Sequence, residues 1–568
     1  MTASILDLSP DLLTLIFAHC LPGSLINLAA TCRRLSEHAL SQIWSTIPSF
    51  GTLAYTLPRE SWVQEVVKEL DGITHDTLSF ARPIDSSALA RFRKYAPYVK
   101  IVDDRGPHQA RFTISPSAWD NLEDVLPPNC LPNLQSIHKF EILPVMVEPM
   151  HIFLCNSLRN LDYEIVPPRL IRWKDPVPDP AKCWITKFFA EFPSFAPMRL
   201  VSFEFLGSKP GLLPPATLVH LATIPTLHTL SITLLSDDYP DGVFLFDVSP
   251  FASLRTVKIQ TNSTPLCAAF LREVRSSFIE TLEVDSSEAV TPDDFRALAT
   301  VIADCPSSHV LKRLTVGFGP HPSERQDQDQ VPIPPGVFAI LHRLRDLEEV
   351  ILKRGCYAAL DDAALAATVT AWIRIRVAKL CSSGTLRFGV SDAPRVTLSG
   401  LAAIKERCQA IETIEIPLAN INHAEVDHLL TLKPPRIYEP VIDYMCEGLG
   451  LFRTACPLKS LGVGPSVLLK EDITGVAAVL SQWFPWLHKI HYLTELSGPE
   501  LDILETSDGV PIDPQVEEQQ WIWSQVAWST DVYASIREEE QKWRYWGNLD
   551  EAVASWVLIE HSDAAEQA

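Results

Sequence analysis

A six-residue pattern recurs along this chain and constrains its fold more than any other feature. It is an apolar residue, two variable residues, a second apolar residue, one variable residue and a third apolar residue. It reads LRNLDY at 158, LHTLSI at 227, LRTVKI at 254, IETLEV at 279, LKRLTV at 311, LEEVIL at 347, IETIEI at 411, LKSLGV at 458 and LHKIHY at 487. MRLVSF at 198 and TLRFGV at 385 are weaker copies. The closing three residues alternate as a strand with one buried face does. Helical patterns separate the copies. Residues 291–305 place Thr291 and Asp294 as a capping box, with Asp in the place of the usual Glu. Residues 335–346 follow a proline, and 361–379 begin with acids and end on Lys379, as the helix dipole favours. Residues 399–408 precede another strand.

The cleanest copies start at 227, 254 and 279, spacings of 27 and 25 residues, and the interval from 311 to 347 stretches to 36. Motif and spacing resemble a degenerate leucine-rich repeat. That resemblance implies an α/β fold, an irregular solenoid with parallel strands on a concave face and helices outside. An ordinary α/β domain with amphipathic strands is the competing reading. In the solenoid the variable positions form the open face of the sheet. Candidate substrate-binding residues there are Asp162, Glu164, Glu204, Lys258, Glu283, Asp285, Arg313, Glu349, Lys353 and Glu415. Any one of them also fits a plain solvated strand position.

The rest of the composition excludes more than it assigns. Net charge is −22, and from Glu500 onward 16 acids against 3 bases supply −13 of it. A chain so acidic lacks the basic face a nucleic-acid binder needs, so no nucleic-acid partner is expected. The 12 cysteines show no CxxC pair and no zinc-like spacing with histidine, and read as thiols in a reducing compartment. No apolar run is long enough to span a bilayer. The N-terminus carries Asp7 and Asp11 where a signal peptide is apolar. A cytoplasmic or nuclear protein without membrane contact is expected. The 45 prolines cluster in stretches that read as loops between packed units. No nucleotide-binding, metalloprotease or hydrolase motif occurs, so no catalytic residue, metal or cofactor is assigned, and an enzyme is the reading with least support.

Six of the 14 tryptophans fall in the last 48 residues: Trp521, Trp523, Trp528, Trp543, Trp546 and Trp556. The segment after Pro514 reads as a helix with Trp521, Trp528 and Val532 near one face. It is either an aromatic patch for a partner or the helical cap that the open end of a solenoid requires, and the cap is the expectation adopted.

At the other end, SPDLLTLIFAHC starts a helix, with Ser9 as cap and Pro10 in the first turn. LPGS breaks it, Ser24 is expected to cap a second helix, and a third carries Cys32, Leu35, Ala39, Ile43 and Trp44. Three short helices hold more apolar surface than so small a bundle hides. The residues Leu8, Pro10, Asp11-Leu12-Leu13, Ile16-Phe17, Leu25, Leu28, Cys32-Arg33 and Trp44 resemble an F-box, departing from it where Ser9 precedes the proline. LARFRKYAPYVKIV at 89 and LPNLQSI at 131 look like the lead-in of fungal F-box proteins whose remainder is a repeat array. The resemblance implies a non-catalytic adaptor of an SCF (cullin-RING) ubiquitin ligase. Such an adaptor docks a Skp-type linker and holds an unidentified protein substrate on the array. By that resemblance Leu8, Pro10, Leu13, Ile16, Leu25, Leu28, Cys32 and Trp44 are the linker contacts. The expected domains are the F-box at 1–50, a linker and N-terminal cap region at 51–130, the leucine-rich-repeat-like solenoid at 131–500, and an acidic Trp-rich helical C-terminal cap and tail at 501–568. A repeat-type binding scaffold with no link to ubiquitination is the alternative.

Overall fold

The computed structural model describes residues 8–68, 74–103, 112–141, 154–165, 199–207, 213–246, 250–319, 331–381, 394–431, 456–492 and 517–536, except seven single positions within these spans, together with Phe189 and Phe192. The chain divides into two compact units, one of residues 1–279 with 305–307 and one of 280–304 with 308–568.

The first unit opens with three helices, α1 Pro10–Ala18, α2 Pro22–Thr31 and α3 Arg33–Ile43. A run of seven parallel strands follows: β1 Thr46–Ile47, β2 Ile101–Asp103, β3 Ser136–Glu141, β4 Asn160–Ile165, β5 Ser202–Gly207, β6 Thr229–Leu234 and β7 Thr256–Thr261. A small second sheet joins Trp62–Lys68, Thr74–Phe80 and Phe112–Ile114. The second unit holds seven more parallel strands: β8 Thr281–Ser286, β9 Arg313–Gly317, β10 Glu349–Leu352, β11 Val377–Lys379, β12 Thr413–Ile416, β13 Ser460–Val463 and β14 Lys489–Tyr492. Within each run, each strand pairs with the next of the run in chain order. Parallel neighbours demand a crossover. Here loops and short helices supply it, such as Pro215–Ala222, Thr264–Glu273, Pro292–Asp304 and Ile473–Trp483.

The register explains the hexad. In the first unit Leu161 pairs with Phe203, Phe203 with Leu230 and Leu230 with Val257. In the second, Leu282, Leu314, Val350, Ala378, Ile414, Leu461 and Ile490 form one continuous row. The leading residue of each copy forms a second row: Leu134, Leu158, Leu200, Leu227 and Leu254 in one unit, and Leu311, Leu347, Ile375, Ile411, Leu458 and Leu487 in the other, all buried. Fixing a residue costs about 1–2 kcal/mol of backbone entropy, and burying an aliphatic side chain returns about 1.5–3 kcal/mol. One hexad alone is therefore near balance, and stacking is what makes it stable.

Three expectations are corrected. The copy placed at Met198 runs two residues later, with Leu200, Phe203 and Phe205 buried. The aromatic pair sets this frame, because Phe203 meets Phe192 and Phe205 meets Phe189 edge to face. The helix expected over 361–379 spans only Asp362–Ala371. Trp372 ends it: its side chain is buried and its indole N–H donates to the Leu341 carbonyl at 3.2 Å. Ile375, Ala378 and Leu380 then enter the core as a further copy of the hexad, which the helical pattern had masked. The copy expected at Thr385 lies outside the described residues. Finally, Ser24 lies inside α2, which starts at Pro22 with no side-chain cap. The capping box at Thr291 is present, with Asp294 N–H donating to Thr291 Oγ1 at 3.2 Å and Thr291 Oγ1 donating to Asp294 Oδ2 at 2.7 Å.

Several prolines start helices rather than filling loops: α1, α2, Pro116–Val125, Pro215–Ala222, Thr264–Glu273 and Pro335–Leu341 each carry one in the first turn. Strands β2 and β3 extend the parallel run back through Val102 and Ile137, so residues 51–130 contain a strand of the array as well as the small sheet.

Gly355 has φ +75°, and a Cβ there would stand 2.2 Å from the Phe318 carbonyl oxygen. Gly355→Ala is expected to cost more than the roughly 1–2 kcal/mol of a left-handed L-residue, since backbone must also move. Thermal unfolding of the variant checks this as a lowered midpoint.

Candidate protein-binding surfaces

The N-terminal bundle divides its apolar residues between two faces. Ser9 caps α1 by accepting from the Leu12 N–H at 3.4 Å, with Pro10 in the first turn. Leu13, Phe17, Leu25, Leu35 and Ala39 form the core. Leu8, Leu28 and Cys32 are partly buried against it. Leu12, Leu15, Ile16, Leu21 and Ile26 stay 41–76% exposed. In α1 the core residues Leu13 and Phe17 are four apart, and Leu12, Leu15 and Ile16 repeat at three and four on the adjoining face. One nine-residue helix thus carries two apolar stripes, one for its own core and one left open.

Of the residues assigned as linker contacts, Pro10 and Ile16 are exposed, and Leu8, Leu28 and Cys32 are half-buried. Leu13 and Leu25 are 0% and 5% exposed and hold the bundle together. Trp44 stacks on Tyr95 with ring centroids 4.8 Å apart and planes 17° from parallel, so it ties the end of α3 to helix Ala90–Tyr95. Leu12, Leu15, Leu21 and Ile26 were missed. The paired leucines at 12 and 13 were the available signal: adjacent helical residues stand about 100° apart, so only one of two can face the core.

The expected sheet-face residues do share the variable positions of the strands, but they spend much of their charge on one another. In the first unit Asp162 Oδ2 lies 3.4 Å from His138 Nδ1, and Asn160 donates to Ser136 Oγ at 2.9 Å. Glu204 and Lys258 are half-buried on β5 and β7. The side chain of Glu164 lies outside what is described. In the second unit Lys353 reaches Glu283 across the intervening strand. Gly317 lies under that crossing: a Cβ there would come 3.0 Å from Lys353 Cβ and 3.2 Å from Asp285 Oδ1. Arg313 pairs with Glu349 at 3.7 Å and Lys379 with the largely buried Glu415 at 2.6 Å. Lys379 escaped the sequence reading because β11 was read as helix.

The helix over 517–533 is fixed on the segment that follows β13. Trp523 Nε1–H donates to the Ser466 carbonyl at 3.1 Å, and the Gln519 amide accepts from the Leu468 N–H at 2.9 Å. Ile522, Trp523, Val526 and Thr530 are its buried side. The expected stripe of Trp521, Trp528 and Val532 is exposed, at 50%, 66% and 36%. Trp543, Trp546 and Trp556 lie outside the described residues.

Among the described residues no group of three or more His, Cys, Asp or Glu is placed to hold a metal. Burial pushes the thiols of Cys267 and Cys408 up to about 12 and that of Cys456 to about 11, so these cysteines are protonated and act as small core residues. No helix among the described residues is long and apolar enough to cross a membrane.

One titratable pair fixes a helix. His423 Nδ1 lies 2.6 Å from Oδ1 of the buried Asp472, and its Nε2 lies 3.2 Å from Asp427. The Asp472 hydrogen bond raises the His423 pKa, with Asp427 adding to it. A raised histidine stabilises the fold fully below its ordinary value of about 6.5 and loses that contribution as pH rises through the folded value. The thermal midpoint should therefore fall from about pH 6 to pH 9, and His423→Gln should flatten that part of the profile.

No protein-family model and no curated protein matches the chain. Among solved structures, a chain of the yeast Rad7–Elc1 complex is 12% identical with a TM-score of 0.33, over 85% of this chain and 87% of that one. The leucine-rich-repeat-containing protein LegL7 of Legionella pneumophila is 11% identical with a TM-score of 0.29, over 73% of this chain and 96% of that one. Likenesses this loose carry nothing about function.

Proposed function

We propose that this protein is a non-catalytic substrate adaptor of an SCF (cullin-RING) ubiquitin ligase. The N-terminal bundle docks a Skp-type linker and the strand array holds a protein substrate. The supporting observation is the open apolar stripe of Leu12, Leu15 and Ile16, continued by Leu21 and Ile26, on a bundle whose sequence carries the F-box pattern. A bundle of some 35 residues with five exposed large aliphatic side chains has more apolar surface than a monomeric unit keeps in water. The adaptor does no bond chemistry. It raises the local concentration of substrate beside the charged ubiquitin carrier.

Co-purification of the full chain with a Skp-type linker tests the reading: a stoichiometric complex is expected, and failure of the intact protein to bind any Skp-type linker would sink it. The second reading, a binding scaffold outside ubiquitin chemistry, draws support from the paired charges of the sheet face, which suit a stable partner as well as a transient substrate. It predicts partners whose abundance is unchanged when the protein is removed.

A further inference from the structure

The second residue of each hexad stands at the strand-entry edge of the sheet. In the first unit these residues form one column linked by backbone bonds. Gln135 N–H donates to Lys100 O at 2.7 Å, Arg159 to Gln135 at 2.8 Å, Val201 to Arg159 at 2.7 Å, His228 to Val201 at 2.8 Å, and Arg255 to His228 at 2.8 Å. The same column in the second unit is Glu280, Lys312, Glu348, Arg376, Glu412, Lys459 and His488, again one hydrogen bond apart. There the charges alternate at every step from Glu280 to Lys459. Lys312 bonds Glu280 at 2.8 Å, and Glu412 bonds both Arg376 at 2.6 Å and Lys459 at 3.2 Å. Those partners hold the Glu412 carboxyl below its usual range, Arg376 contributing most.

In the first unit Lys100, Arg159 and Arg199 have no carboxylate partner among the described residues. Its column carries Lys100, Arg159, His228 and Arg255, and Arg199 stands just before β5. Neither the column, nor the residue before each hexad, nor the first strand residue after the column includes a single Asp or Glu from β2 to β7; the remaining side chains are Ser, Thr, Asn, Gln and a few apolar ones. The face carboxylates Asp103, Asp162 and Glu204 lie three residues beyond the column on β2, β4 and β5, roughly 10 Å along the strand. Lys100, Arg159 and Arg199 are exposed; Arg255 has an interaction of its own within the chain and is not counted on.

We propose that this strand-entry edge of the first unit is a docking strip for an extended acidic peptide. Five strand steps of about 4.8 Å make a strip of roughly 24 Å, the length of about seven extended residues. Alternate residues of such a peptide present side chains on one side about 7 Å apart, a spacing that serves a row of cations with amide and hydroxyl donors between them. In a chain of net charge −22, a carboxylate-free strip this long is the local exception an acidic ligand would find. Salt confines the repulsion of distant acids to about 8–10 Å. The proposal takes from the adaptor reading only that the array holds a protein, and its test omits the linker, so the two fail separately.

The test is fluorescence anisotropy of the full chain with a labelled peptide of alternating Glu and Gly, about eight residues long. Saturable binding is expected that weakens about tenfold or more when salt rises from about 0.05 to 0.5 M, as screening requires. Lys100→Glu with Arg159→Glu and Arg199→Glu should cost at least about tenfold, the scale of one lost charge-assisted contact. The charge-matched control Arg272→Glu with Arg296→Glu and Arg345→Glu should bind as the parent does. Should the triple variant misfold by circular dichroism, Lys100→Gln with Arg159→Gln takes its place. The proposal fails if binding is not saturable, if the edge variant binds like the parent, if the control loses as much, or if an oligouridylate of equal length binds more tightly than the peptide.

Discussion

Leu15→Asp combined with Ile16→Asp is expected to abolish capture of a Skp-type linker while leaving the helical content and thermal midpoint of the protein unchanged. Both side chains are exposed, at 61% and 41%, so charge there meets water in the free protein and an apolar partner surface only in the complex. Two buried aliphatic contacts are worth about 1.5–3 kcal/mol each, and buried carboxylates add a desolvation cost, so affinity should fall by a factor of about 100 or more. Leu13→Asp gives a different result. Leu13 is fully buried among Phe17, Leu25, Leu35 and Ala39, and a carboxylate there unfolds the bundle. Loss of binding at Leu13 would therefore say nothing about contact, although the motif resemblance names it as a contact. A pull-down read beside circular dichroism separates the two. Retained capture by the Leu15/Ile16 variant would remove the open stripe as the docking face.

Phe203→Ala should be the most damaging conservative truncation in the first unit. Phe203 is fully buried, pairs in register with Leu161 and Leu230, and meets Phe192 edge to face at 5.7 Å. Truncating a buried Phe costs about 3–5 kcal/mol, because the cavity adds to the lost transfer energy. Ser202→Ala, one residue earlier on the other face of the same strand, should stay within about 0.5 kcal/mol. Urea unfolding of the two variants measures the contrast. A similar loss at both positions would show that the row of Leu161, Phe203, Leu230 and Val257 is not the element that holds the repeats together.

The repeat was legible because burial and register share one period. A side chain that alternates in and out of a strand leaves its trace in every copy, and parallel pairing lines the copies up without further information. The misreadings came where two periods overlap. ATVTAWIRIRVAK satisfies a helical stripe and a hexad at once, and the burial of Trp372 decides between them. Local pattern has no access to that choice, because the indole acts through the Leu341 carbonyl, 31 residues away. The N-terminal bundle shows the same limit at smaller scale. Its helices, its start at Pro10 and its surplus of apolar residues follow from composition and spacing alone. Which of Leu12 and Leu13 turns inward depends on where α3 lies, and so does the identity of the docking face.

Charge divides in the same way. The chain alone dictates a strongly acidic molecule, an apolar hexad at most strands of the array and candidate polar positions between, since these depend only on residue type and spacing. Tertiary stacking decides what those polar residues do. It sets Glu412 between Arg376 and Lys459, and it lines Lys100 and Arg159 along an edge where no carboxylate among the described residues answers them. The physical reason is range. Side chains far apart in the chain interact only when strand pairing brings them within about 5 Å, and the pairing is set by the buried rows on the other side of the sheet.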